Sequence, residues 1–308
     1  MGKWQLEIVP GLLMMLRVPD MSGNRRESAG KELVFEGVNM IKMLVLDLDD
    51  TLLRSDKTIS GYTEQVLKRV RDAEIRTVIA TARPYRAIKH FMEQVNCKNA
   101  VYHNGARIVM EGTATDCSYC IANVKAVRLL QELQNRYPGK KMSVEINDRL
   151  YANFDVLSIW GNNPRDTEIL KAATVQTDFT DLPAIDADKI IIELSGGDEY
   201  DEIMSLIPGD LYGLLSDRGT LCLVMNRNAS KLNAVKRLTE QMGIAASEVA
   251  VFGDDYNDLE MIKYFGLGVA MANAIDDVRQ AADAVTAFSN NEDGAARFIE
   301  EHILKPIL

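Results

Sequence analysis

The stretch "MLVLDLDDTLL", residues 43–53, places three aspartates within four positions directly after a run of aliphatic residues. A short, continuous apolar run is the pattern of a strand buried on both faces of a parallel sheet. Ending such a strand in like charges is costly, because carboxylates about 4 Å apart repel by roughly 4 kcal/mol at an effective dielectric near 20. Something elsewhere in the chain has to offset that repulsion.

From Ile41 onward, strand-like and helix-like segments alternate. "GYTEQVLKRVRDAEI" places Val66, Leu67, Val70 and Ala73 on one helical face, "RTVIAT" reads as a strand, and "PYRAIKHFMEQV" as a helix with Pro84 in its first turn. "NAVYHNG" is a third strand running into an Asn-Gly turn, a strong hairpin signal. This βαβαβ order predicts an α/β fold with a doubly wound, mostly parallel, Rossmann-like sheet, whose ligands sit at the carboxyl ends of the strands.

The middle of the chain has a different rhythm. A helix over "ANVKAVRLLQELQNRY" precedes a hairpin of "KMSVEI" and "LYANF" about Asn147-Asp148-Arg149. A helix over "DEYDEIMSLI" precedes a second hairpin about Asp217-Arg218-Gly219, with the strand "KIIIELS" between the two units. Residues 121–223 are therefore expected to form an inserted α+β domain with one antiparallel sheet, between core segments 40–120 and 224–308. The βα rhythm resumes with the helix "SKLNAVKRLTEQMGI", the strand, acidic loop and helix of "EVAVFGDDYNDLEMIKYF", and the strand "LGVAMAN".

Composition narrows the function. A net charge of −10, with no Lys/Arg run, argues against a nucleic-acid partner. No apolar stretch approaches the roughly 20 residues needed to span a bilayer, so no membrane partner is expected. Cys97, Cys117, Cys120 and Cys222 read as thiols of a reducing compartment, which points to a cytoplasmic protein. Residues 1–39 lack periodicity and are expected to be a disordered extension. Alternatively, "EGVNM" can be encoded with a ribosome-binding sequence just before the Met40 codon, which in a bacterial source would make Met40 the natural start and the preceding segment an upstream readthrough.

Polar residues with chemistry stand at the carboxyl ends of the expected core strands. These are Asp47, Asp49, Asp50 and Thr51 after the first strand, Thr81 after the second, and Asp254, Asp255, Asn257 and Asp258 after a later one. Lys231 opens a helix. In a parallel sheet such loops share one edge. A pocket of carboxylates needs a cation, and Mg²⁺ suits oxygen ligands shared with a substrate phosphate. An aspartate there is a competent phosphoryl acceptor, while Lys231, the Thr81 hydroxyl and the following amide suit phosphate oxygens.

The motifs then take on a specific likeness. "DLDDTLL", "TAR", Lys231 in "NASK" and "GDDYNDLEM" resemble, in order, the four motifs of the haloacid-dehalogenase (HAD) superfamily. The insertion between the second and third resembles the type IIB cap of the Cof-type phosphatases. The resemblance implies Asp47 as nucleophile, forming an aspartyl-phosphate, and Asp49 as the acid and base. It implies Mg²⁺ held by the Asp47 carboxylate, the Asp49 carbonyl and Asp254. Phosphoryl oxygens would be contacted by Thr81, the Ala82 amide, Lys231 and Asn257, with Asp258 orienting Lys231 or a metal-bound water. Asp50 and Asp255 occupy variable positions and receive no catalytic role. Ala82 departs from the usual glycine, which the backbone tolerates at negative φ. The expected activity is phosphatase action on small phosphorylated metabolites, sugar phosphates or phosphorylated cofactors. The alternatives are a phosphomutase on the same scaffold and a non-catalytic phosphometabolite-binding regulator.

Overall fold

The computed structural model describes residues 40–113, 119–160, 164–195, 197–216 and 220–305. The expected extension over residues 1–39 and the second hairpin turn at Asp217-Arg218-Gly219 lie outside them. In chain order the elements begin with β1 (Met43–Leu46), α1 (Gly61–Asp72), β2 (Arg76–Ala80), α2 (Tyr85–Gln94), β3 (Asn99–Tyr102), β4 (Arg107–Val109) and α3 (Asn123–Arg136). There follow β5 (Met142–Ile146), β6 (Arg149–Ala152), α4 (Leu157–Trp160), α5 (Pro164–Ala173), β7 (Thr174–Gln176), β8 (Lys189–Glu193), α6 (Gly197–Leu206), β9 (Leu211–Ser216) and β10 (Leu221–Asn226). The chain closes through α7 (Lys231–Met242), β11 (Val249–Gly253), α8 (Leu259–Tyr264), β12 (Leu267–Ala270), α9 (Asp276–Ala281), β13 (Ala284–Val285) and α10 (Gly294–Phe298).

Two compact units divide the fold: the chain up to Val78 together with that from Thr239, and Ile79–Leu238. In the first unit β1 pairs in parallel with β11, from Met43 opposite Val249 to Leu46 opposite Phe252. β11 pairs with β12, and β12 with β13, again in parallel. β2 enters beside β1, where the Arg76 amide donates to the Lys42 carbonyl at 2.9 Å. Every residue of β1 and β11 is buried, which is why these strands read as unbroken apolar runs rather than alternating ones.

The second unit opens with the last residues of β2, which lead into β3, and β3 turns back through residues 103–105 into antiparallel β4. His103, Asn104 and Gly105 all have positive φ, at 49°, 55° and 101°. Gly105 has a second constraint. A Cβ on it would lie 2.1 Å from the Ser230 carbonyl oxygen, so this turn is pressed against the residue that precedes α7.

The same unit holds a six-stranded sheet in the order β7-β6-β5-β8-β10-β9. The expected single antiparallel sheet is corrected at one edge, because β7 joins β6 in parallel. The reason is topological: α4 and α5 intervene, and a crossover of that length returns a strand in the same direction. Met142, Val144 and Ile146 of β5 and Ile190 and Ile192 of β8 pack with Leu129, Leu130 and Leu133 of α3 in one core. The alternate residues of β5, Ser143 and Glu145, face away from that core by strand alternation. They are nevertheless buried as well. The β5–β6 hairpin turns through Asn147 and Asp148, both left-handed, as a two-residue primed turn requires.

The cysteine reading is also corrected. Cys97 and Cys222 are free and buried, whereas Cys120 is disulfide-bonded. Cys117 lies outside the described residues. Among the described residues no helix is long and apolar enough to cross a membrane.

Gly105→Ala forces both a left-handed alanine and a clash with backbone that cannot swing aside. We expect a loss of about 2 kcal/mol or more, read as a lower urea midpoint with unchanged slope.

Candidate active site

In the first unit the site starts where β1 stops. The Asp47 amide still donates to the Phe252 carbonyl at 3.0 Å, so the backbone of Asp47 is held by the ladder although its side chain has left the strand. The chain then coils tightly over Leu48–Leu52, with Asp50 in a left-handed conformation and the Leu53 amide returning to the Leu48 carbonyl at 2.8 Å. This coil brings the Thr51 hydroxyl within 2.8 Å of Asp254 Oδ1, across 203 residues of sequence.

The neighbouring parallel strand β11 supplies the second carboxylate cluster. Asp258 is fully buried, and its Oδ2 accepts from the amides of Asp254 at 3.1 Å and Asp255 at 3.3 Å. A Cβ on Gly253 would come within 2.4 Å of Asp258 Cβ, so this glycine admits the aspartate into the loop. As a result, Asp47, Asp254 and Asp258 each present a carboxylate oxygen within 4.8 Å of the others. Three hard oxygen donors so close fit a divalent cation, whose charge would reverse the local repulsion.

The remaining acidic residues of these loops are used differently. Asp49 Oδ1 lies 2.9 Å from Lys57 Nζ, with both side chains more than a third exposed. The Asp50 carbonyl accepts from Asn273 Nδ2 at 2.7 Å and its carboxylate from Asn290 Nδ2 at 3.3 Å, which anchors the coil. Asp255 Oδ1 accepts from the Tyr256 amide at 2.8 Å. Asn257 is half-buried in the same loop.

Thr81, Ala82 and Lys231 belong to the second unit. Thr81 is buried at the end of β2, and its Oγ1 accepts from the Arg83 amide at 3.1 Å. Ala82 does not have positive φ, so its methyl is accommodated without strain. Lys231, the first residue of α7, is 1% exposed despite its length and charge.

Around the start of α2 lies a buried ionic cluster that sequence reasoning missed. Arg86 binds Glu145 of β5 through two 2.8 Å hydrogen bonds, and both side chains are almost completely buried. The Pro84 cap of α2 has no side-chain oxygen to offer, and Asp148 takes its place by accepting from the Arg86 amide at 2.9 Å. Burial opposes the charge on Arg86, but Glu145 and Asp148 outweigh it and raise the guanidinium above its ordinary value. Arg107 of β4 pairs with Asp188, and Lys189, the next residue, is a cross-strand neighbour of Glu145. Burial, reinforced by the cations Lys189, Arg86 and Arg107, holds His103 well below its ordinary value and therefore neutral. The only advance signal was the alternation in "MSVEI", and alternation alone reads as a solvated face.

The chain matches the haloacid dehalogenase-like hydrolase family over residues 44–299. It belongs to that family. It is 31% identical over 265 residues to a putative phosphatase of Haemophilus influenzae, covering 85% of this chain and 98% of the relative. A 5-amino-6-(5-phospho-D-ribitylamino)uracil phosphatase of Bacillus subtilis is 27% identical, with coverage of 84% and 97%. Among solved structures, a haloacid dehalogenase-like hydrolase from Bacteroides thetaiotaomicron superposes with a TM-score of 0.74 at 27% identity, covering 84% of this chain and 98% of that one.

Burial raises the Asp188 carboxyl to about 6, against the opposing effect of Arg107. A folded-state value above the unfolded one means that folding favours the protonated acid. Its contribution is full below about pH 4 and is lost as the pH rises through about 6. Asp188→Asn removes this titration, so the stability difference between wild type and variant should change across that window by at most about 3 kcal/mol. Urea unfolding at a series of pH values measures it, and a constant difference would contradict the assignment.

Proposed function

We propose that this protein is a cytoplasmic Mg²⁺-dependent phosphomonoesterase acting on small phosphorylated metabolites through an aspartyl-phosphate. The observation that carries this reading is the meeting of the Asp47, Asp254 and Asp258 carboxylates at the ends of two adjacent parallel strands. Asp47 is the nucleophile. One of its oxygens bonds to phosphorus as the ester P–O bond breaks, and Asp49 gives its proton to the departing alkoxide. Asp49 then takes a proton from water, the water oxygen bonds to phosphorus, and the acyl-phosphate P–O bond breaks to return the Asp47 carboxylate. To reach the substrate, Asp49 must leave Lys57, and an exposed pair of this kind costs only about 0.2–1 kcal/mol to break.

Asp47, the Asp49 carbonyl and Asp254 would hold Mg²⁺, which when bound supplies charge neutralisation for the phosphoryl group. Asp258 keeps the Asp254 amide and its loop in place. Thr81, the Ala82 amide, Lys231 and Asn257 receive the phosphoryl oxygens. Residues 121–223 act as the cap that encloses the organic part of the substrate and excludes water. The relatives named as phosphatases, one for a phosphorylated ribityl compound, favour sugar phosphates or phosphorylated cofactors as the substrate class.

A metabolite phosphate screen with and without Mg²⁺ tests the reading. We expect stoichiometric release of free phosphate, rather than an isomerised ester, and no turnover after chelation. Asp47→Asn should lower kcat by at least about a thousandfold at unchanged fold. Retained activity in that variant would falsify the nucleophile assignment.

A further inference from the structure

The segment Thr81-Ala82-Arg83 has each of its three carbonyls occupied from a different direction. The Asn104 amide donates to the Thr81 carbonyl at 3.0 Å, and the His103 amide to the Arg83 carbonyl at 3.0 Å. These are successive N–H groups of a left-handed turn, which is what lets both point at one segment. The Ala82 carbonyl accepts instead from a side chain, the ammonium of Lys189, at 3.3 Å. Lys189 comes from the first position of β8, in the six-stranded sheet, 107 residues further along the chain.

Burying an ammonium is expensive and is retained only where charges and hydrogen bonds compensate it. Here Glu145 stands opposite Lys189 in the β5–β8 register, and Asp188 adjoins it in sequence. The cations Arg86 and Arg107 hold those two carboxylates in turn. Lys189 brings the charge of this cluster to a peptide group.

That peptide joins Ala82 to Arg83. Because it is planar and trans, fixing its oxygen fixes the direction of its N–H. The N–H in question is the Arg83 amide, which donates to Thr81 Oγ1 at 3.1 Å. A hydroxyl oxygen that accepts there turns its own O–H outward as a donor. Hydrogen bonds in such a series polarise one another. Charge at Lys189 draws electrons from the carbonyl, strengthens the Arg83 N–H as a donor, and so strengthens the Thr81 O–H as a donor.

We propose that Lys189 is a positioning residue for phosphoryl transfer, acting through the Ala82–Arg83 peptide to aim and polarise the Thr81 hydroxyl toward a phosphoryl oxygen. The inference rests on the phosphatase reading above and adds to it a link from the six-stranded sheet to the phosphate-binding segment. Lys189 does not touch substrate. Its effect exists only as long as Thr81 carries a hydroxyl.

The test is a double-mutant cycle on Lys189 and Thr81, with Mg²⁺ present and p-nitrophenyl phosphate as substrate. Loss of a whole transition-state donor costs about a hundredfold or more, so weakening one through Lys189→Met should lower kcat by about tenfold, with KM changed by less than about twofold. Lys189→Arg, which keeps the charge and a donor, should return to within about threefold of wild type. In a Thr81→Val background, Lys189→Met should cost less than about twofold more. Circular dichroism establishes that each variant is folded, and Lys189→Gln takes the place of Lys189→Met if the latter is not. Additive effects of the two substitutions, or an unchanged kcat in Lys189→Met, would overturn the proposal while leaving the phosphatase reading intact. A wild-type protein that releases no phosphate from any phosphomonoester would overturn both.

Discussion

Three carboxylates held within 4.8 Å of one another are the constraint around which the first unit is built. At roughly 4 kcal/mol of repulsion per close pair, such a group scatters unless the backbone beneath it is rigid. Rigidity comes from the parallel register of β1 and β11, extended one residue past β1 by the bond from the Asp47 amide to Phe252. Gly253 then gives Asp258 room, and Asp258 takes up the amides of the loop that carries Asp254. The apolar strands are therefore the part of the site that makes its charge density possible.

The second unit handles charge by the opposite strategy. Around the start of α2 its buried ions are matched in pairs, Arg86 with Glu145 and Arg107 with Asp188, and Lys189 sits among them. Replacing such a pair with apolar residues is often neutral for stability, while removing one partner is not. The pairs therefore act as position markers more than as a source of stability. Asp148 at the start of α2 and Lys189 at the Ala82 carbonyl both tie the segment that follows β2 to the six-stranded sheet.

Much of this was legible in the residues alone. Strands buried on both faces announce themselves as unbroken aliphatic runs, and β1, β11 and β12 were readable for that reason. Helices α1, α3 and α7 carried apolar stripes at helical spacing. The order of the acidic motifs, and with it the family, also needed no coordinates. The parallel edge strand β7 was missed because Thr174–Gln176 is too short and too mixed to show a period. Nothing in the residues alone marked Ser143 and Glu145 as buried, because alternation reports which residues share a face and not whether that face meets water.

What the sequence determined by itself is local: which segments can be strands or helices, and which residue types stand at their ends. Those properties depend on periodicity and on the few conformations a short peptide can adopt. Only the tertiary structure decided which of the aspartates meet. Asp47, Asp254 and Asp258 share one cluster, while Asp49, Asp50 and Asp255, equally acidic and equally close in sequence, turn to Lys57, to Asn273 and Asn290, and to a backbone amide. It also decided that Lys189 is spent on a backbone carbonyl. A side chain's partner is set by strand register and burial, which are properties of the assembled sheet and not of any stretch of chain.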